Sequence, residues 1–265
     1  MSFSKEIENL ITTTFIVVLL SSFFIIFFSL SVFSQGGIKS WAGHSYSVDF
    51  NKHWRLRAGQ LYFFNEQMDF TSVQNNARIE YRFKRNFSLG VGYTHSSDPA
   101  DPDQPAKHRI EPRARHRVKM GKLRVTNQLR AEWHFPSRSK YEYRLRYSMR
   151  LHAGDFGLPL GLSPYMTHEL HYYLNGRPLN YRDGKGDIIV RQSPNGLHAH
   201  RIRMGVRFKV FRRANMSLSF MRQTEFNIGS EFRRINVTDP RDGDILRDFS
   251  NFSVLSFNFS YRIKT

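Results

Sequence analysis

Arginine and glutamate recur at every second residue in several stretches of this chain, and that spacing decides what they can do. Glu111, Arg113 and Arg115 are two apart, as are Arg130 and Glu132, and Glu142, Arg144 and Arg146. Arginine carries a planar fork of donors suited to carboxylates and phosphates and stays charged when buried. On strands, side chains two apart share a face, so neighbouring strands can join these residues into a charge lattice. Enclosed in a pore, such a lattice selects for anions. In a narrow barrel it can equally be structural filling made of paired charges. Histidine supplies weaker candidates. His198 and His200 are two apart and so fall on one strand face, as two metal ligands would, but no nearby carboxylate completes the set. His168, Glu169 and His171 are the best acid–base candidates for a hydrolase, but no serine sits in a recognisable nucleophile elbow. Gly184 and Gly186, with Asp183 and Asp187, lack the Lys and Ser/Thr spacing of a phosphate loop. The segment Asp239 to Asp244 lacks a calcium-loop pattern. No cofactor site is read.

The elements that must position the lattice are strands. In the last stretch Leu255, Phe257, Phe259, Tyr261 and Ile263 alternate with Ser256, Asn258, Ser260, Arg262 and Lys264. A period of two argues for strand, since a helix with this pattern would have no apolar stripe. The same alternation runs through 77–84, 87–93, 123–135, 141–152 and 201–210. Strands are expected near 41–50, 54–64, 73–84, 87–95, 107–120, 123–135, 141–152, 162–174, 197–210, 215–224 and 252–264. That count is odd, and single-chain bacterial barrels normally have even counts. Either the first segment is not a full strand or one has been missed near 228–238. Pro112, His116 and Asn127 fall on the otherwise apolar face, and Pro112 suggests a bulge.

Connections alternate between short ones, near 51–53, 85–86, 121–122 and 211–214, and longer ones, near 65–72, 95–107, 175–196 and 225–250. Short turns at one end and long loops at the other are the layout of a transmembrane barrel. The fold expected is all-β, a closed antiparallel transmembrane β-barrel of about 10–12 strands. The lipid face of such a barrel must be apolar, which sends Arg and Glu into the lumen. The reverse would cost about 2–4 kcal/mol for each Arg or Lys at mid-bilayer. A two-residue hairpin at Gly121-Lys122 sets Met120 opposite Leu123. Arg113 then faces Arg130, Glu111 faces Glu132, and on the next hairpin Glu132 faces Arg144.

Lys5 precedes an almost wholly apolar run from Leu10 to Phe33, ending Phe33-Ser34-Gln35. This reads as a secretory signal, residues 1–34, cleaved after Ser34, with the barrel over 35–265. The run is also long enough for an uncleaved anchor. The chain of 265 residues has no cysteine, so it has neither disulfides nor a lipidated cysteine. Lys and Arg number 40 against 22 Asp and Glu, a net charge of +18, which first raises nucleic acid or an anionic membrane surface as a partner. The aromatics and arginines fall on opposite strand faces, so they cannot jointly bind single strands. No nucleic-acid partner is expected.

From Ala77 to His152 the chain runs Arg-Ile-Glu-Tyr-Arg-Phe, Phe-Ser-Leu-Gly-Val-Gly-Tyr, His-Arg-Ile-Glu-Pro-Arg-Ala-Arg-His-Arg, Asn-Gln-Leu-Arg-Ala-Glu-Trp and Tyr-Glu-Tyr-Arg-Leu-Arg-Tyr-Ser-Met-Arg-Leu. This resembles the outer-membrane barrel family catalogued as domain-of-unknown-function family 2490. The resemblance implies a barrel in the bacterial outer membrane and brings no activity. The expected role is a structural or narrow-pore barrel with a lumen lattice of Glu111, Arg113, Arg115, Arg130, Glu132, Glu142, Arg144 and Arg146, taking small anions. Expected partners are outer-membrane lipids, lipopolysaccharide and the barrel-assembly machinery. The alternatives are a membrane-embedded hydrolase acting on lipid or lipopolysaccharide, and a surface-binding protein using the loops 175–196 and 225–250.

Overall fold

The computed structural model describes residues 37–99, 101, 103–154 and 161–264. The leader expected over 1–34 lies outside them. Eleven strands form a closed barrel: β1 (Ile38–Asp49), β2 (Trp54–Phe64), β3 (Phe70–Arg82), β4 (Phe87–Ser97), β5 (Lys107–Met120), β6 (Leu123–Phe135), β7 (Tyr143–Ala153), β8 (Ser163–Leu174), β11 (Gly196–Phe211), β12 (Ala214–Glu225) and β15 (Phe252–Lys264). Two small ribbons lie in the long loops. One pairs β9 (Leu179–Arg182) with β10 (Ile188–Gln192), and the other pairs β13 (Val237–Thr238) with β14 (Ile245–Leu246).

The odd strand count is real. The first segment is a full strand, and 228–238 contributes nothing to the barrel beyond its loop ribbon. The expectation of antiparallel pairing throughout is corrected at one place. Strands that alternate in direction leave the eleventh parallel to the first, so β1 and β15 close the barrel as a parallel pair, from Ile38↔Ser253 to Asp49↔Lys264. The barrel is therefore mixed, with every other neighbour antiparallel.

Register follows the hairpin reading. Met120 faces Leu123, Arg113 faces Arg130, and Glu132 faces Arg144. Pro112 makes no bulge. The β5–β6 ladder skips Glu111 and Pro112, where proline has no N–H to give, and resumes in the same register. Asn127 and His116 find partners on the outer face: Asn127 Oδ1 accepts from Tyr147 Oη at 2.8 Å, and His116 lies 3.4 Å from Asn86.

Burial is inverted relative to a water-soluble domain. Glu80, Glu111, Glu132, Glu169, Arg144 and Arg146 are buried inside, while Leu56, Ile79, Val91, Leu129, Leu145 and Leu255 are exposed outside. Aromatic rings flank this aliphatic band at both ends. Near the short turns, Trp54 meets Tyr81 at 4.8 Å and Tyr81 meets Phe83 at 4.7 Å. Near the long loops, His108 stacks on Phe135 at 5.2 Å, and Trp133 lies 5.4 Å from Phe135 and 6.3 Å from Tyr143.

The ordinary apolar core is small and sits at the long-loop end. It consists of Tyr141, Tyr173, Ala199 and Ile235, with Phe249 against it. The loop 226–251 folds over this cluster. Asn227 brackets Ile235 with two hydrogen bonds, at 2.7 and 2.9 Å. Glu225 accepts from Lys140 Nζ (2.6 Å), Tyr173 Oη (2.7 Å) and the Ser250 N–H (2.7 Å), tying the loop to the rim.

Candidate functional site

The period-two pattern turns alternate residues of β5, β6, β7 and β8 into the barrel, and there they meet as ion pairs. Glu132 accepts from Arg144 Nε at 2.7 Å and Arg146 Nη1 at 2.8 Å, with His134 at 3.3 Å. Glu169 takes Arg130 Nη2 at 2.7 Å, Arg146 Nη2 in a closer contact, and His171 Nε2 at 2.7 Å. Glu111 pairs with Arg113, with Arg109 at 3.4 Å and with Arg130 at 3.9 Å. Arg115 reaches across β4 to Glu80 on β3. Gly92 of β4 makes room for Glu111, because a Cβ there would lie 3.0 Å from both Cγ and Oε1 of the glutamate.

Seven of the eight residues expected in the lattice are thus inside and paired: Glu111, Arg113, Arg115, Arg130, Glu132, Arg144 and Arg146. Glu142 is placed elsewhere. It precedes the start of β7, so the strand alternation does not reach it, and its carboxylate accepts from Trp133 Nε1 at 3.2 Å and from Asn175 Nδ2. Glu80, Glu169 and Arg109 belong to the network but are not among the eight lattice residues read from the sequence, where Glu169 stands instead as an acid–base candidate. Arg109 carries the same alternation on β5, while Glu80 and Glu169 lie on β3 and β8, whose register no tight hairpin in the sequence fixes.

At the short-turn end a second ionic knot forms. Asp49 of β1 accepts from Arg55 of β2 (2.6 Å), Arg82 of β3 (2.5 Å) and Arg262 of β15 (2.6 Å). It spans the parallel seam. Nothing in the local sequence around Asp49 marks it, because its partners lie on three strands.

The interior opens at the long-loop end into a cavity of about 920 Å³. Nine lysines and arginines line it, against the carboxylates Asp98 and Glu225. Arg203 has no carboxylate within 4.0 Å among the described residues, and its Nη2 rests 3.3 Å from Met221 Sδ. The cavity also contains apolar side chains, which corrects the expectation that aromatics all face outward. Trp41, Leu61, Phe63 and Phe252 line it. The end of β2, Leu61-Tyr62-Phe63-Phe64, is apolar on both faces, and that break in alternation was the available signal.

The histidine candidates separate. His168 and Glu169 are adjacent on β8 and so point to opposite faces. His168 meets His200 at 5.7 Å on the outside, while Glu169 is in the interior network. His198 and His200 do not share a face either. A register shift between Leu197 and Ala199 sends His198 toward Tyr173, at 5.8 Å, with its Nδ1 3.1 Å from the Phe226 carbonyl oxygen. No cluster of three metal-type ligands exists among the described residues. The polar loop tips are turns. Asp183 Oδ1 accepts the N–H groups of Lys185 and Asp187, each at 2.9 Å, and Asp239 pairs with Arg241 at 2.6 Å.

Geometry and topology together define a closed mixed β-barrel of eleven strands with a charged, arginine-rich interior. The family model described as protein of unknown function (DUF2490) matches residues 38–234, and the chain belongs to that family. The match spans β1 to β12 and ends before β15, the strand that closes the barrel. No protein of curated function matches the chain in sequence.

Proposed function

We propose that this chain is an outer-membrane β-barrel of a Gram-negative bacterium whose arginine-lined interior takes small anions as a narrow pore. One observation carries the reading: an aliphatic outer band bounded by two aromatic girdles surrounds an interior of paired charges. In water such a band would be a large adhesive patch. In a bilayer a closed barrel satisfies every backbone group internally and needs an apolar belt with aromatic girdles. The short turns then face the periplasm and the long loops the exterior. Outer-membrane lipids and lipopolysaccharide surround the barrel, and the barrel-assembly machinery inserts it after the 1–34 leader is removed. The hydrolase reading is weaker, because His168 and Glu169 lie on opposite faces of β8.

The excess of cationic side chains over carboxylates in the cavity supports anion preference, as Arg and Lys rings do in anion pores. The test is conductance of the refolded 35–265 barrel in a planar bilayer under a salt gradient, with folding checked by heat-shifted gel mobility. Steady channels with an anion-selective reversal potential are expected. Folded protein that conducts nothing, or prefers cations, overturns the pore. Location is tested separately in intact cells. The chain has no cysteine, so single cysteines at Gly184 and Lys52 report the two ends without background. A membrane-impermeant maleimide should label the first and spare the second. Equal labelling refutes the orientation.

A further inference from the structure

The cavity at the long-loop end has two unlike walls. One is apolar: Trp41 of β1, Leu61 and Phe63 of β2, and Phe252 of β15, contributed by three strands that are neighbours across the seam. Trp41 meets Phe63 edge-on at 5.0 Å and Phe252 at 6.2 Å. The other wall is cationic, with Arg130 on β6 and Arg144 and Arg146 on β7. In the closed order β6 and β7 lie five strands from β1 in either direction, which puts them across the lumen from the aromatic rings. Arg201 and Arg203 of β11 stand between the two walls, and the guanidinium of Arg201 lies 5.9 Å from the Phe252 ring centre.

An inorganic anion would use only half of this lining. It would leave Trp41, Phe63 and Phe252 facing water inside a polar lumen, where their burial contributes nothing. A neutral apolar ligand would leave the cationic excess unanswered. The space, about 920 Å³, is the size of pockets that hold drug-sized molecules. We propose that this cavity binds organic anions that carry one anionic head on an apolar, ring-sized body. The head sits at Arg203 and its neighbours, and the body lies on Trp41, Phe63 and Phe252. Arg203 is the arginine best placed for this, because among the six arginines on barrel strands that line the cavity it alone has no carboxylate within 4.0 Å among the described residues. The inference rests on the reading that the interior takes anions and adds what the anion must carry.

The experiment uses the folded barrel in detergent with Trp54 and Trp133 replaced by phenylalanine. Of the three tryptophans, only Trp41 then remains to report from the cavity. The probe is 4-nitrobenzoate, a contact quencher of indole fluorescence. Its controls are 4-nitrobenzyl alcohol, the same ring without the charge, and acetate, the same head without the ring. Saturable quenching is expected, with nitrobenzoate binding about tenfold tighter than the alcohol, as one charge-assisted contact requires. Acetate should displace it only at far higher concentration. R203Q breaks no ion pair and should weaken binding about tenfold, and F63S should weaken it about fivefold by removing a ring face. Equal quenching by acid and alcohol, equal competition by acetate, or quenching that never saturates overturns the proposal, and the comparison among probes needs no cavity variant to fold. The potassium chloride reversal potential of the same protein separates the two readings. Anion-selective current with no saturable quenching sinks the ligand class alone. Cation-selective current with tight nitrobenzoate binding sinks the anion pore and leaves the binding site.

Discussion

Replacing Glu132 by glutamine tests whether the interior ion pairs hold the barrel together. The Glu132 side chain is 0% exposed and accepts from Arg144 at 2.6 and 2.7 Å and from Arg146 at 2.8 Å. Glutamine keeps the shape and removes the charge. Arg146 still has Glu169, but Arg144 has no other carboxylate within 4.0 Å among the described residues. Besides the neutral amide oxygen it keeps its donation to Tyr141 Oη at 2.8 Å and that ring beneath it. Breaking a buried pair by removing one partner costs about 3–5 kcal/mol. With a single guanidinium stranded, the lower end applies, about 3 kcal/mol. At about 2–4 °C per kcal/mol for a chain of this size, the midpoint should fall by roughly 6–12 °C. The assay is the temperature at which folded gel mobility is lost in detergent, backed by urea unfolding in vesicles. The double variant E132Q/R144M should recover most of the loss, since it removes the stranded charge. A single variant within about 0.5 kcal/mol of the parent, the range of inert surface changes, would refute the reasoning. So would a double variant as unstable as the sum of its parts.

D49N removes the negative charge shared by Arg55, Arg82 and Arg262, but these lie at the wetter end, with Arg262 about half exposed. Its effect should be smaller than that of E132Q and should shrink further in high salt. A salt-independent loss as large as that of E132Q would show that burial does not rank these knots. E225Q weakens the anchor formed by Lys140, Tyr173 and the Ser250 N–H. Limited proteolysis should then cut within 226–251 while the heat-shifted barrel band persists, and an uncut loop would refute the anchor.

Much of the barrel was legible because period two is a local signal. The expected bounds 54–64, 107–120, 123–135 and 252–264 coincide with the observed strands, and the tight turn at Gly121-Lys122 carried register into β6 and β7. What was not legible depends on closure. Whether Glu142 joins its neighbours is decided by where β7 begins, one residue later, and Glu80 reaches Arg115 only by crossing β4. His198 and His200 were set on one face by counting, and a single irregularity between Leu197 and Ala199 undid the count. A one-residue slip flips every later side chain, so pairs argued from spacing alone fail wherever a strand bends under a loop. Alternation puts Phe252 on the face of Ser256 and Asn258, but only the closed seam brings it beside Trp41.

The seam explains why those unread residues sit where they do. Eleven alternating strands cannot close antiparallel, and a parallel ladder is slightly weaker per residue than an antiparallel one. The β1–β15 pairing is long, running from Ile38↔Ser253 to Asp49↔Lys264. Side chains hold it at both ends. At the short-turn end Asp49 takes Arg262 from across the seam. At the long-loop end Trp41 packs near Phe252, and the Lys39 ammonium lies 5.8 Å from the same ring. Between these ends the seam wall presents small inward side chains, Gly43, Ser45 and Ser47 on β1 and Ser256 and Asn258 on β15. The long arginines of β5 to β7 project from the facing wall. Small residues on one side and long ones on the other fill the lower lumen. At the top, rings take over from serines on the seam wall. The void therefore remains there, between the aromatic and cationic walls. The apolar wall thus lies on β15, β1 and β2, around the parallel closure and opposite the arginines.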